Sequence, residues 1–158
     1  MRSSREISNA LNALGAVSEL NAQLFDELVQ EAALDTNDCS IQVLLKSFDD
    51  QCPYDELMFS VVHAIESRER SSYLNCLLST LAETRNRAPK WSRILHTRIM
   101  NSPVVFESYL NLLPGSRESS RVALRSIFTE IYLKPKFSER AKVGLDAIES
   151  ANQSTNKQ

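Results

Sequence analysis

The chain has 158 residues with only three glycines and five prolines, a length that fits one ordinary domain and a composition that disfavours a turn-rich β fold. No apolar run approaches the roughly 18 residues of a membrane span, and the basic start Met1–Arg5 leads into a polar pattern, unlike a signal peptide. We therefore expect a cytoplasmic protein without a membrane partner, whose three cysteines are reduced thiols.

The net charge of −2 hides a strong asymmetry along the chain. Residues 1–66 carry 12 acids and 3 bases, a net charge of −9, whereas residues 67–158 carry 8 acids and 15 bases, a net charge of +7. Two halves that attract each other on packing, or plain solvated faces, would explain this pattern. An acidic surface held ready for a basic partner explains it equally well.

Apolar residues at helical spacing predict four helices in the first part of the chain. The first is capped by Ser3 or Ser4 and ends at Gly15, and the second runs from about Ser18 to Ala33. Their expected inward positions are, helix by helix, Ile7, Ala10, Leu11 and Leu14; Leu20, Leu24, Phe25, Leu28 and Val29; Ile41, Leu44, Leu45 and Phe48; and Tyr54, Leu57, Met58, Val61, Val62 and Ile65.

Five further helices are predicted in the remainder. The sixth begins at Pro89 and the seventh at Pro103, because proline suits a first helical turn, and the seventh ends at Pro114-Gly115. The expected inward positions are Tyr73, Leu74, Leu77, Leu78 and Leu81; Trp91, Ile94, Leu95 and Ile99; Val105, Phe106, Tyr109, Leu110 and Leu113; Val122, Leu124, Ile127, Phe128 and Ile131; and Phe137, Ala141, Leu145 and Ile148.

These patterns predict an all-α fold. No stretch alternates with period 2 for long enough to form a convincing strand, and the short links favour antiparallel neighbours. We expect a single-domain bundle or irregular stack of about eight or nine antiparallel helices over residues 1–149. The polar residues 150–158 are expected to form a disordered tail.

The sequence offers little support for catalysis. The two histidines, His63 and His96, lie off the apolar stripes of their helices and are expected at the surface. His63 and Glu66 could present two metal ligands on one helix turn, but two ligands make no site. No serine–histidine–aspartate set, cysteine–histidine pair or glycine-rich phosphate loop is present. We therefore expect no catalytic residue, no metal and no cofactor.

A row of basic residues, Arg117, Arg121 and Arg125, recurs every fourth position on the eighth helix. Such a row could meet phosphates. A solvated face, or pairing with Glu118 and the acidic half, is the favoured interpretation, because aromatic residues do not interleave with the row. Nucleic acid is therefore not expected as a partner.

Several stretches resemble a family of small all-helical immunity proteins from bacterial polymorphic-toxin systems, including contact-dependent growth inhibition. The resemblance covers roughly residues 54–112, and it is carried by Asp55–Glu66 (DELMFSVVHAIE), Tyr73-Leu74 with Leu77-Leu78, Ala88-Pro89-Lys90-Trp91 and Arg98-Ile99-Met100-Asn101-Ser102. It implies a cytosolic protein that binds and neutralises one cognate toxin domain, often a nuclease, without catalysis of its own. The matched positions look like scaffold and assign no toxin-contacting residue.

The charge pattern suggests where such a partner would bind. Nuclease toxins are basic because they hold RNA or DNA, and an acidic folded surface can mimic the phosphate backbone, steer association and occlude the active site. Carboxylates of the first half are the candidates: Asp26, Glu27, Glu31, Asp35, Asp38, Asp49, Asp50 and Glu56. We expect a 1:1 complex with an RNase rather than a DNase. The alternative is a non-catalytic helical adaptor that binds a peptide or protein in a groove between helices.

Overall fold

The structure is a computed structural model that describes residues 1–156, and within that range it contains nine α-helices and no strand. The helices are α1 (Ser4–Leu14), α2 (Ala22–Leu34), α3 (Asp38–Lys46), α4 (Asp55–Glu66), α5 (Arg70–Arg87), α6 (Pro89–Asn101), α7 (Pro103–Leu110), α8 (Glu118–Tyr132) and α9 (Ser138–Thr155). Two short 3-10 turns, Leu113–Gly115 and Pro135–Phe137, precede α8 and α9. The all-α prediction is confirmed.

The chain folds into two compact units, Met1–Leu77 and Leu78–Gln158, and the boundary between them falls within α5. We refer to them as the first and the second unit. The expectation of one domain over residues 1–149 stays a prediction. Among the residues that the structure describes, no helix is long and apolar enough to cross a membrane.

Both ends of α1 follow from its sequence. The Ser3 hydroxyl accepts a hydrogen bond from the Glu6 N–H (3.4 Å), and the Ser3 N–H donates to the Glu6 carboxylate (2.8 Å), so two orphan N–H groups are satisfied reciprocally. Gly15 ends the helix with a φ of +64°, a conformation that side chains with a Cβ rarely adopt. The predicted start and end of this helix are confirmed.

In the first unit α2 packs against α1, α3 and α4. Its buried side chains are Phe25, Leu28, Val29 and Ala32, which lie one helical turn apart as predicted. Leu20, however, was expected to point inward and is 98% exposed. The reason is that α2 begins only at Ala22, so Leu20 lies in the preceding turn and does not share the buried stripe.

The second unit is built around α8 and α9, and α6 packs against α7 and α8. Trp91 on α6 is fully buried, as its position on the apolar stripe predicted. Where α8 crosses α9, Gly144 permits close approach: a Cβ at this position would lie 2.5 Å from the ring of Phe128. Val122 was expected to point inward, but it is exposed because the buried stripe of α8 runs through Arg121, Leu124, Ile127, Phe128 and Ile131.

The predicted disordered tail is instead helical as far as Thr155, because α9 continues through it. Two contacts explain the extension. Ala151 is buried, and the Asn152 side chain accepts a hydrogen bond from the buried Arg121 guanidinium (2.7 Å). Residues 157 and 158 of the predicted tail lie outside the described residues.

Candidate functional site

All eight predicted partner-binding carboxylates lie in the first unit, which carries thirteen acids and five bases, a net charge of −8. The second unit carries seven acids and thirteen bases, a net charge of +6. Between Glu6 and Leu45 there are seven acidic residues and no basic one. The first unit therefore presents a long acidic segment on a folded helical scaffold.

The structure does not gather the eight carboxylates into a single cluster. Asp26 and Glu27 lie early in α2, whereas Glu31, Asp35 and Asp38 lie where α2 gives way to α3; we call these last three the α2–α3 corner. Asp49, Asp50 and Glu56 follow the other end of α3. Since α3 has nine residues, its two ends are about 13 Å apart.

Two carboxylates of the α2–α3 corner are engaged within the unit itself. Glu31 forms a salt bridge with the Arg2 guanidinium (2.7 Å) and also accepts a hydrogen bond from the Arg2 backbone N–H. Asp35 accepts hydrogen bonds from the Ser4 hydroxyl and from the Asn37 N–H (3.0 Å). These contacts tie the N-terminal residues and the start of α1 to the end of α2.

The same contacts favour the ionised form of both carboxylates. The backbone N–H of Arg2, helped by its guanidinium, lowers the pKa of Glu31. The Ser4 hydroxyl, the Asn37 N–H and the charge of Arg68 lower the pKa of Asp35. A change at either residue would therefore disturb the fold as well as any partner contact.

Arg68, from the link between α4 and α5, also holds the corner. Its guanidinium donates to the carbonyl oxygens of Ala33 (3.3 Å), Asp35 and Asn37 (3.2 Å). Carbonyls at the C-terminal end of a helix lack intrahelical partners, and a cation there is also attracted to the negative end of the helix dipole. Arg68 thus closes the end of α2, and the α2–α3 corner is foremost a structural element.

Three of the predicted residues, Glu27, Asp38 and Glu56, are exposed and form no ion pair among the described residues. The Glu27 carboxylate accepts a hydrogen bond from the Gln23 side chain (2.9 Å), one turn earlier on α2. Asp38 and Glu56 lie in the first turns of α3 and α4, where the helix dipole favours a negative charge. These three carboxylates are the part of the predicted set that can meet a partner without breaking an ion pair within residues 1–156.

The remaining predicted residues, Asp26, Asp49 and Asp50, are half-buried. Asp49 accepts a hydrogen bond from the Gln51 N–H (2.9 Å), which closes the turn after α3. The Asp49 carboxylate therefore stabilises the backbone turn, and only part of its surface is accessible to another molecule.

Two apolar side chains beside Glu27 were missed by sequence reasoning. Leu20 and Leu24 were assigned to the core, yet Leu20 is almost fully exposed and Leu24 is 42% exposed. The signal that could have found Leu20 is Asn21, a residue type that commonly precedes a first helical turn and here marks the start of α2.

The two histidines behave differently. His63 is exposed, as predicted. The prediction of a surface position for His96 is wrong, since its side chain is fully buried and contacts the Ser92 carbonyl (2.6 Å) and the Tyr109 hydroxyl (3.0 Å). Its place off the apolar stripe was misleading because α7 and α8 cover that side of α6 with Tyr109 and Phe128. Within residues 1–156 no group of side chains could hold a metal ion.

The predicted basic row of α8 is not a continuous surface. Arg121 is buried, donating to the Asn152 side chain and to the Ser116 carbonyl, so the expectation of a solvated position is wrong there. Arg125 pairs with Glu149 on α9 (2.5 Å), whereas Arg117 is exposed. Of the three arginines, only Arg117 and Arg125 face solvent.

The fold defines a helical protein whose first unit is strongly acidic, with His63 exposed and His96 buried. A sequence model of the family Immunity protein 30 matches residues 12–109, which is more than half of the chain, and the chain belongs to this family. The match begins well before residue 54, so it includes the acidic helices for which no resemblance was expected. No curated protein and no solved structure matches the chain. Membership in the family implies that the chain neutralises a toxin. Proteins of this family are generally non-catalytic.

Proposed function

We propose that the chain neutralises its cognate toxin in the cytoplasm by binding a basic nuclease domain in a 1:1 complex and covering its active site. The observation that carries the proposal is the segment from Glu6 to Leu45, with seven acids and no base on an ordered helical scaffold. Such a segment complements a nuclease, whose active site must attract a polyanion.

The negative charge of this segment also favours the fast and tight binding that a toxin inhibitor needs. Carboxylates that face a basic surface raise the association rate by steering the encounter, and they disfavour partners of like charge. Because free toxin is harmful at low concentration, we expect a dissociation constant in the nanomolar range or below, a binding free energy of about −12 kcal/mol or stronger. Glu27, Asp38 and Glu56 are exposed and can make this contact without breaking an ion pair within residues 1–156.

The toxin domain encoded beside the gene for this chain provides the test. Purified toxin is titrated with the chain, and cleavage of long RNA, long DNA and a dinucleotide is followed. We expect cleavage of RNA rather than DNA, and complete inhibition of both long RNA and dinucleotide cleavage at one chain per toxin, since a covered active site admits no substrate.

Each component of the proposal can fail separately in this assay. A complex that still cleaves the dinucleotide would show that the chain blocks an exosite rather than the active site. Cleavage of DNA alone would contradict the preference for an RNase, and an endpoint other than one chain per toxin would contradict the stoichiometry. A toxin without nuclease activity would overturn the nuclease target while leaving neutralisation intact.

A further inference from the structure

The turn before α2 and the first turn of α2 carry two exposed leucines, Leu20 and Leu24, which we call the apolar patch, within the acidic segment. Leu20 lies in the turn that precedes α2, Leu24 in the first turn of the helix and Glu27 one turn further on, and all three are exposed. A single exposed leucine is ordinary on a soluble protein. Two exposed leucines four residues apart, flanked by acids, resemble the apolar centre and polar rim of a protein-binding surface.

Leu20 is held outward by an ordered turn. The Asn21 side chain accepts a hydrogen bond from the Ser18 N–H (2.8 Å) and donates to the carbonyls of Leu14 (3.3 Å) and Ala16 (3.1 Å). The turn is therefore fastened to the end of α1. Because the backbone at Leu20 is ordered before a partner arrives, little backbone entropy remains to be lost on binding.

The charges around this patch select the chemistry of its partner. Glu19 is exposed beside Leu20, Glu27 follows Leu24, and no basic residue occurs in the surrounding segment from Glu6 to Leu45. The complementary surface is an apolar pocket bordered by lysines or arginines. A second copy of this unit, which is itself acidic, would place like charges opposite one another and is disfavoured.

We propose that Leu20 and Leu24 are the apolar anchors with which the chain docks into an apolar pocket with a basic rim on its cognate toxin. This proposal rests on the proposed function and locates its contact surface. The carboxylates of Glu19 and Glu27 steer and border the contact, whereas the two leucines exclude water from its centre. Both leucines and Glu27 lie within the residues matched by the family.

The test compares two doubly substituted variants of the full chain. Leu20→Ala with Leu24→Ala removes the anchors, and Leu133→Ala with Val143→Ala removes aliphatic side chains of comparable exposure in the second unit. The probe is the toxin domain encoded beside the gene. We expect the anchor variant to bind about ten-fold more weakly or worse, and the control variant to bind like the wild type.

Circular dichroism and thermal melting establish that both variants fold, and Leu20→Lys alone provides a second test at a position outside the helix. Wild-type affinity in the folded anchor variant and in Leu20→Lys would overturn the anchors while leaving toxin neutralisation intact. An equal loss in the control variant would likewise contradict a specific α2 surface. If the wild-type chain itself neither binds nor neutralises the toxin, the proposed function fails, and the docking surface fails with it.

Discussion

At the scale of single residues, His96 shows how burial selects one protonation state. Its Nδ1–H donates to the Ser92 carbonyl, so Nε2 carries no proton in the neutral ring and accepts from the Tyr109 hydroxyl. Both nitrogens are thus satisfied in the neutral ring. Burial, together with the charge of Arg85, lowers the pKa of His96 to about 4, although the Ser92 carbonyl acts in the opposite direction.

This pKa predicts a loss of stability in mild acid. In the unfolded chain a histidine binds a proton near pH 6.5, whereas folded His96 does so only near pH 4, so acid favours the unfolded state between these values. The contribution is fully present above pH 6.5 and declines as the pH falls. We expect the free energy of unfolding, measured with urea, to drop by about 2 kcal/mol between pH 7 and pH 5.

His96→Gln is the control for this prediction, because it removes the titrating group while keeping a polar side chain. We expect the variant to be less stable at pH 7 but to lose most of its pH dependence between pH 7 and pH 5. An unchanged pH dependence in the variant would mean that His96 is not the group responsible.

At the scale of elements, the end of a helix was predictable where one residue type is strongly preferred at the capping position. Ser3 with Glu6 fixed the start of α1, and Gly15 fixed its end, because capping and a positive φ are local properties. The start of α2 was not predictable in the same way. Both Ser18 and Asn21 are suitable caps, and the choice depends on carbonyls at the end of α1, which only the folded chain brings to Asn21.

The α8–α9 contact depends on Gly144. A methyl group there would lie 2.5 Å from the Phe128 ring, which is fully buried and cannot easily move. We expect Gly144→Ala to lower the free energy of unfolding by about 1–3 kcal/mol through overpacking, despite the better helix propensity of alanine. Gly115→Ala is the control, because no atom lies within 4 Å of its added Cβ and its φ is not positive, and it should be neutral or slightly stabilising. Equal melting temperatures for the two variants would contradict the close α8–α9 approach.

At the scale of the whole molecule, helical periodicity was sufficient to predict the all-α class, since inward residues such as Leu28 and Leu124 recur with the helical repeat. The candidate site was predictable only as a region. The sequence shows the acidic segment, but it does not show that Glu31 reaches Arg2, 29 residues away, while Glu27 forms no ion pair within residues 1–156. Pairings of this kind depend on tertiary packing and leave no local pattern.

The central claim is that exposed acids of the first unit bind the toxin, and charge reversal tests it. The test variant combines Glu27→Lys, Asp38→Lys and Glu56→Lys, which changes no ion pair seen in the structure. The control combines Glu107→Lys, Glu139→Lys and Asp146→Lys, three exposed acids of the second unit. Both variants move the net charge from −2 to +4, so the total charge does not distinguish them.

The decisive measurement is the rate of association with the toxin domain at low and high salt, made on variants whose helicity and melting match the wild type. We expect the first-unit variant to associate at least about ten-fold more slowly at low salt and with a weaker salt dependence, while the control changes much less. Wild-type rates and salt dependence in the first-unit variant, or equal slowing in both variants, would contradict a toxin-binding surface formed by these acids.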